Sequence, residues 1–153
     1  MNTLELKIPP PVLALGLALL MWLTSLLFEP WPVPYGFRLG AALALVAIGQ
    51  SISICGILLF RRAGTTIHPF KPDATSSLVT NGVYRFTRNP MYIGLLLTLF
   101  GWVAFLASPP ALLYLAVFVL YMNRFQIGPE ERALSSLFGT DYAAYQTRVR
   151  RWL

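Results

Sequence analysis

Residues 78–92 read LVTNGVYRFTRNPMY, and the reading of the whole chain turns on them. The stretch is polar and basic inside a sequence that is otherwise mostly apolar. It opens on the turn dipeptide Asn81-Gly82, sets Arg85 and Arg88 three residues apart, and ends on Asn89-Pro90, where a new apolar run begins. Asn-Gly marks a turn because both residues tolerate positive φ. Asn before Pro is a helix start, an N-cap followed by proline at the first helical position. Two arginines, two tyrosines and a tight turn at the mouth of an apolar helix suit an anion- and nucleotide-binding site at a membrane face.

The surrounding composition supplies the membrane. Apolar residues make up 56% of the 153 and charged residues only 12%, where soluble domains carry about 25% charged. Mean hydropathy is +0.62, and the length fits one domain, residues 1–153. A net charge of +6 would suggest nucleic acid in a soluble chain. Here the accumulation of Lys and Arg on the cytoplasmic side of membrane proteins accounts for it, and no nucleic-acid partner is expected. Cys55 sits alone in an apolar run and His68 is the sole histidine. That excludes a disulfide framework and a His/Cys zinc site, and no metal is expected.

Downstream of the stretch, residues 91–107 form an apolar span with Gly94 and Gly101 on one face. Ser108-Pro109-Pro110 is a hairpin turn, and residues 111–127 return as another span. Asn123 and Arg124 near its end belong at the interface or in a polar pocket. Upstream, residues 61–90 are a polar connection holding Arg61, Arg62, Lys71, Arg85 and Arg88 against Asp73. Before it, residues 39–60 are a span whose Gly49, Ser53 and Gly56 share a face that lets another helix approach closely. Gln50 beside them is either interhelical glue or a cavity lining. Residues 12–28 are the first span, preceded by Pro9-Pro10-Pro11, which stop a helix extending backward. A signal peptide is disfavoured there, since Lys7 is offset by Glu5 and no A-x-A site follows. Trp31 and Tyr35 in the Pro-rich turn between the first two spans suit the interface belt.

After the last span, Gly128-Pro129-Glu130-Glu131 opens a helix with carboxylates in its first turn, where the dipole favours them. Gly139 ends it. Thr140 caps a second segment with Tyr142, Tyr145, Val149 and Trp152 on one side and Arg148, Arg150 and Arg151 on the remainder, an interfacial amphipathic helix. The fold class is therefore all-α: a polytopic membrane protein of four transmembrane helices with a cytosolic loop and C-terminal amphipathic helices. Charge places the loop and both termini in the cytoplasm, and a bacterial inner membrane is the expected location.

This topology brings Arg88 and Asn89, at the start of the third span, to the same side as Arg124, Glu130 and Glu131 at the end of the fourth. Each has a plain reading: Asn89 a cap, Arg88 a snorkelling arginine, the glutamates first-turn carboxylates, Tyr84 and Tyr92 belt aromatics. Together they make a pocket with arginine for a carboxylate, carboxylates for an ammonium or ribose hydroxyls, and aromatics for a flat ring. The helix N-terminus adds free N–H groups for an anion.

The segments RRAGTTIHPF at 61–70, LVTNGVYRFTRNPMYIG at 78–94 and PEERALSSLFGTDYAAY at 129–145 together resemble the isoprenylcysteine carboxyl methyltransferase family. That family stands within a broader group of integral-membrane methyltransferases including phospholipid N-methyltransferases. The likeness covers roughly residues 58–153, and the first two spans match only in kind. It implies S-adenosylmethionine as cofactor, bound by a part spanning about residues 78–153, and a lipophilic substrate arriving from the bilayer, with membrane lipids as surroundings. Carried over residue by residue, Tyr84, Arg88, Asn89, Pro90, Tyr92 and Gly94 match the family's Y-x-x-R-H-P-x-Y-x-G. Glu130 and Glu131 match its paired glutamates, and Phe138, Gly139, Tyr142 and Tyr145 its F-G-x-x-Y-x-x-Y. Asn89 stands where prenylcysteine enzymes carry His, which weakens a prenylcysteine acceptor.

Arg88 and Arg124 are then expected to grip carboxylates of cofactor and substrate. Glu131 would bind the cofactor amine or act as base. The glycines nowhere form G-x-G, so a soluble Rossmann-type loop is absent, and His68, before a proline, reads as a loop residue. A phospholipid amine is the alternative acceptor. A non-catalytic membrane scaffold is the alternative from another class. An ion-coupled transporter is disfavoured, because no ionisable residue lies at mid-bilayer depth in any span.

Overall fold

The structure, a computed structural model, describes residues 5–64 and 77–153, and every regular element among them is helical. The helices are α1 (Pro10–Ser25), α2 (Tyr35–Arg62), α3 (Pro90–Leu106), α4 (Leu112–Tyr121) and α5 (Gly128–Arg148). Proline stands in the first turn of α1 and α3, where its missing N–H costs nothing, and again at the start of α5. His68, Lys71 and Asp73 lie outside the described residues.

Two helical stretches are long and apolar enough to cross a membrane: Tyr35–Arg62, of 28 residues, and a continuous Pro109–Arg148, of 40. Helices α1 and α3 have 16 and 17 residues. At about 1.5 Å per residue, each falls a little short of the roughly 30 Å hydrocarbon thickness. Leu15, Leu19, Phe37, Leu43, Ile48, Leu113 and Leu120 all point outward and are exposed. An apolar outer surface of this extent requires lipid, and the chain is a membrane protein.

The closest pairing is α2 against α3, and small residues permit it. A Cβ on Gly49 would stand 2.7 Å from the Gly94 carbonyl oxygen, and one on Gly101 3.0 Å from that of Ala42. Gln50 Nε2 donates to Thr98 Oγ1 at 2.9 Å, so this polar group joins two helices. Across α3 lies α1, with the Trp102 indole N–H donating to the Ala18 carbonyl at 3.0 Å. Met21, Leu99, Val103, Phe118 and Met122 fill the core between α1, α3 and α4. At the far end of α3 the Arg38 guanidinium caps the Phe105 carbonyl, Nε lying 2.7 Å away, so this arginine is absorbed by a helix C-terminus.

Expectation and structure part at the junction of α4 and α5. Rather than a fresh start at Gly128, the chain continues through a π-helical turn, Met122–Ile127. Pro129 has no N–H to offer the Phe125 carbonyl four residues back. The Leu6 N–H takes that place at 3.0 Å, and Glu5 pairs with Arg132 at 2.8 Å. Gly139 kinks α5, with φ 48° and ψ −117°.

Candidate functional site

The C-terminal end of α2, the turn before α3, the π-helical turn and the first turn of α5 meet at one end of the bundle. Gly82, with φ +56°, turns the chain into the short 3-10 helix Gly82–Arg85. This sets Tyr84 edge-on against Phe60 of α2, ring centres 5.2 Å apart. From there the chain reaches Arg88 and the N-terminus of α3.

Arg88 and Glu131 form an ion pair at 3.0 Å, with only 12% and 14% of their side chains exposed. A second guanidinium shares the same carboxylate: Arg151 Nε lies 3.0 Å from Oε1 and Nη2 2.5 Å from Oε2, a two-pronged contact. Glu130 faces another way. Its Oε1 accepts from the Tyr92 hydroxyl and from Gln126 Nε2, each at 2.6 Å. Burial pushes the Glu130 carboxyl up to about 7, against the lowering effect of those two hydrogen bonds. The adjacent glutamates are thus distinct, one tied between arginines and one poised near neutrality.

Residues after α5 are not a helix in the headgroup boundary, as their pattern suggested. Val149 leaves α5 with φ −125° and ψ 131°, in extended form, and the segment lies back along residues 87–89. The Arg88 N–H donates to the Arg150 carbonyl at 3.0 Å. Asn89 Nδ2 at 2.8 Å and Thr87 Oγ1 at 3.3 Å both donate to the Arg151 carbonyl. The Trp152 indole N–H donates to Asn123 Oδ1 at 3.0 Å. Tyr142, Tyr145 and Val149 are buried against Leu78, Leu134 and Phe138 rather than in lipid. The Tyr145 hydroxyl donates to the Tyr84 carbonyl at 2.7 Å, and burial raises both phenols well above their usual range.

The structure therefore gathers Tyr84, Arg88, Asn89, Tyr92, Glu130 and Glu131 at one end. Pro90 is buried in the first turn of α3, close to Gly56. Gly94 lies one turn further, where α3 crosses α2 against Gly49 and Ser53. Arg124 is exposed on the π-helical turn, and no ion pair or hydrogen bond holds it among the described residues. Asn89 occupies the N-cap position without capping through its side chain, because its amide is committed to the Arg151 carbonyl. Sequence reasoning placed Asn123 at the interface or in a polar pocket and missed Thr87, Gln126 and Arg151 as neighbours of the site. For Gln126 a signal existed, its four-residue spacing to Glu130. For Arg151 none did, since a basic tail reads equally well as a lipid contact.

Two buried polar atoms here have no hydrogen-bond partner among the described residues, Arg88 Nε and the Tyr84 hydroxyl. Unpartnered polar atoms are costly in a protein interior, and these flank the Glu131 carboxylate and the α2–α3 junction. Such a donor set fits a small polar ligand with an anionic group.

Comparison with known proteins gives this geometry its context. The sequence profile of the phospholipid methyltransferase family matches residues 37–141. The chain is 32% identical over 145 residues to a probable protein-S-isoprenylcysteine O-methyltransferase of Oryza sativa subsp. indica, covering 93% of this chain and 74% of that one. It is 30% identical over 137 residues to protein-S-isoprenylcysteine O-methyltransferase A of Arabidopsis thaliana, covering 90% and 70%. Over 67 residues it is 37% identical to methanethiol S-methyltransferase 1 of Bradyrhizobium diazoefficiens, covering 44% and 22%. No solved structure matches the chain. With most of its length aligned and its buried arginine–glutamate site drawn from the matched region, the chain belongs to the phospholipid methyltransferase family.

Proposed function

We propose that this protein is an S-adenosylmethionine-dependent methyltransferase that methylates a lipophilic small acceptor of carboxylate or thiol type. The observation that carries this reading is the buried Arg88–Glu131 pair beside Glu130, in a chain whose relatives include O- and S-methyltransferases. The topology proposed with it is four spans, α1, α2, α3 and α4 continued through the π-helical turn to Ile127, with the basic site end and both termini in the cytoplasm of a bacterium. Arg61, Arg62, Arg85, Arg88 and Arg132 gather at that end, as the orientation rule requires.

The residues present fit the cofactor. Arg88 offers a carboxylate its unpartnered Nε, Glu131 offers an ammonium its two oxygens, and Tyr84 brings a buried hydroxyl and a flat face. When bound, the cofactor supplies an electrophilic methyl group on a sulfonium sulfur. The protein's task is then alignment and exclusion of water, which can supply several kcal/mol of barrier lowering without any acid or base. A carboxylate acceptor needs nothing more. For a thiol or amine acceptor, Glu130, whose carboxyl is pushed up to about 7 by burial, is the group placed to take the proton, while Glu131 is held by two guanidiniums. An apolar groove of about 410 Å³ between α3 and α4, lined by Leu96, Leu97, Phe100, Leu115, Ala116 and Val119, offers a lipid chain a lateral approach.

The test is incubation of the purified protein with methyl-labelled S-adenosylmethionine and a total lipid extract, followed by mass analysis of whatever gains label. A labelled lipophilic acid or thioether supports the reading. Label on a phospholipid amine replaces the acceptor class. Absence of both label and saturable cofactor binding leaves a membrane scaffold.

A further inference from the structure

We propose that Arg151 is a cofactor-binding residue: its guanidinium joins that of Arg88 in one grip for the α-carboxylate of an amino-acid-bearing nucleotide, while Glu131 takes the α-ammonium. The inference rests on the cofactor reading above. It assigns the second carboxylate contact, expected at Arg124, to a residue that sequence alone gave to lipid headgroups.

Charge balance is the first argument. Two guanidiniums converge on one carboxylate, leaving one positive charge without an anion among the described residues. Glu130 does not supply the difference, since its carboxyl turns to Tyr92 and Gln126. The other hydrogen-bond acceptor for the Arg151 guanidinium among the described residues is the neutral Asn123 Oδ1, at 3.5 Å. Arg148 and Arg150 are exposed and add positive field. A partly buried cluster with surplus positive charge draws the anionic end of a ligand toward its guanidiniums.

Complementarity is the second. An arginine–glutamate pair presents a guanidinium beside a carboxylate. An α-amino acid presents a carboxylate beside an ammonium. One zwitterion can therefore exchange partners with the pair, each ionic contact replaced in kind, with two guanidiniums on its carboxylate as there are two on Glu131.

Placement is the third. The backbone of Arg151 is fixed by Asn89 and Thr87, and its neighbours Arg150 and Trp152 by Arg88 and Asn123. Its side chain thus starts from a held point next to Arg88. Arg151 remains 37% exposed where Glu131 is 14% exposed, so a ligand meets the cluster from the Arg151 side.

The test is calorimetric binding, in detergent, of S-adenosylhomocysteine and of the same thioether lacking its α-carboxylate. The wild-type protein should prefer the complete ligand by roughly tenfold or more, the size of a lost hydrogen bond to a charged group. Arg151→Gln should erase most of that preference without weakening the decarboxylated ligand, and Arg151→Lys should restore part of it. Arg151→Gln that weakens both ligands equally would show a role in shape alone. A variant that tightens both would show that Arg151 blocks the site. Either result overturns the inference while leaving the cofactor reading intact. Binding of neither ligand by the wild type would remove both.

Discussion

Gly49 and Gly94 meet backbone to backbone: a methyl group on Gly49 would stand 2.7 Å from the Gly94 carbonyl oxygen, and one on Gly94 would collide with Ser53 Oγ. This contact sets the distance between α2 and α3, and with it the position of Pro90, Arg88 and Tyr84 above. Gly94→Ala should therefore destabilise the fold by about 2 kcal/mol or more, the range of overpacking against an unyielding neighbour. Gly16→Ala, in open space on α1, should be neutral or slightly stabilising. Thermal unfolding midpoints of the two variants in one detergent check this.

Arg88→Ala and Glu131→Ala should each weaken S-adenosylhomocysteine binding well over tenfold: the first removes a charged carboxylate contact, and the second removes the ammonium contact and leaves two guanidiniums without their shared anion. Arg124→Ala, at an exposed position with no partner among the described residues, should change affinity less than threefold, within the small effects usual for surface sites. Titration calorimetry on the three variants separates these outcomes.

Glu130 should give stability a recognisable pH dependence. Its carboxyl is pushed from 4.5 up to about 7, chiefly by burial. Between those values the folded protein holds a proton that the unfolded chain releases. The contribution is full below about pH 4.5 and lost as pH rises through about 7. Glu130→Gln, which keeps an acceptor for Tyr92 and never ionises, should remove this fall. Unfolding midpoints at pH 5 and pH 8 measure it, with the wild type dropping more than the variant.

Asn89→Leu removes the 2.8 Å bond to the Arg151 carbonyl, an effect of about 1 kcal/mol, and should loosen the extended segment over the site. Asn89→His, the residue prenylcysteine enzymes carry, keeps an N–H donor and should hold it. Limited proteolysis at Arg150 and Arg151, both within reach of trypsin once the segment lifts, distinguishes the two variants by rate.

Much of the fold could be read in advance because apolar run lengths and proline positions are local signals. Three apolar runs became α1 to α3 and the fourth became α4 with the π-helical turn after it, while the glycine faces of residues 49–56 and 94–101 became a helix contact. The meeting of Arg88 with Glu131 was legible for the same reason: hairpin topology alone puts both at one end. What local pattern did not carry was the path after Gly139. An aromatic stripe with basic flanks fits a lipid interface and a protein groove equally well. The choice was made by long-range partners, Tyr145 on Tyr84 and the Asn89 amide on the Arg151 carbonyl. Arg124 stood closer to the glutamates in sequence than Arg151 does, yet the π-helical turn carries it to the exposed face.

The hydrogen bond from the Arg88 amide to the Arg150 carbonyl holds an extended segment that lies outside the helices, and such segments open locally at lower cost than packed helices do. The segment over the site should therefore lift while the helices beneath it stay shut. Deuterium uptake at that single amide, followed against uptake in the middle of α3, would time the opening through which a ligand enters and leaves.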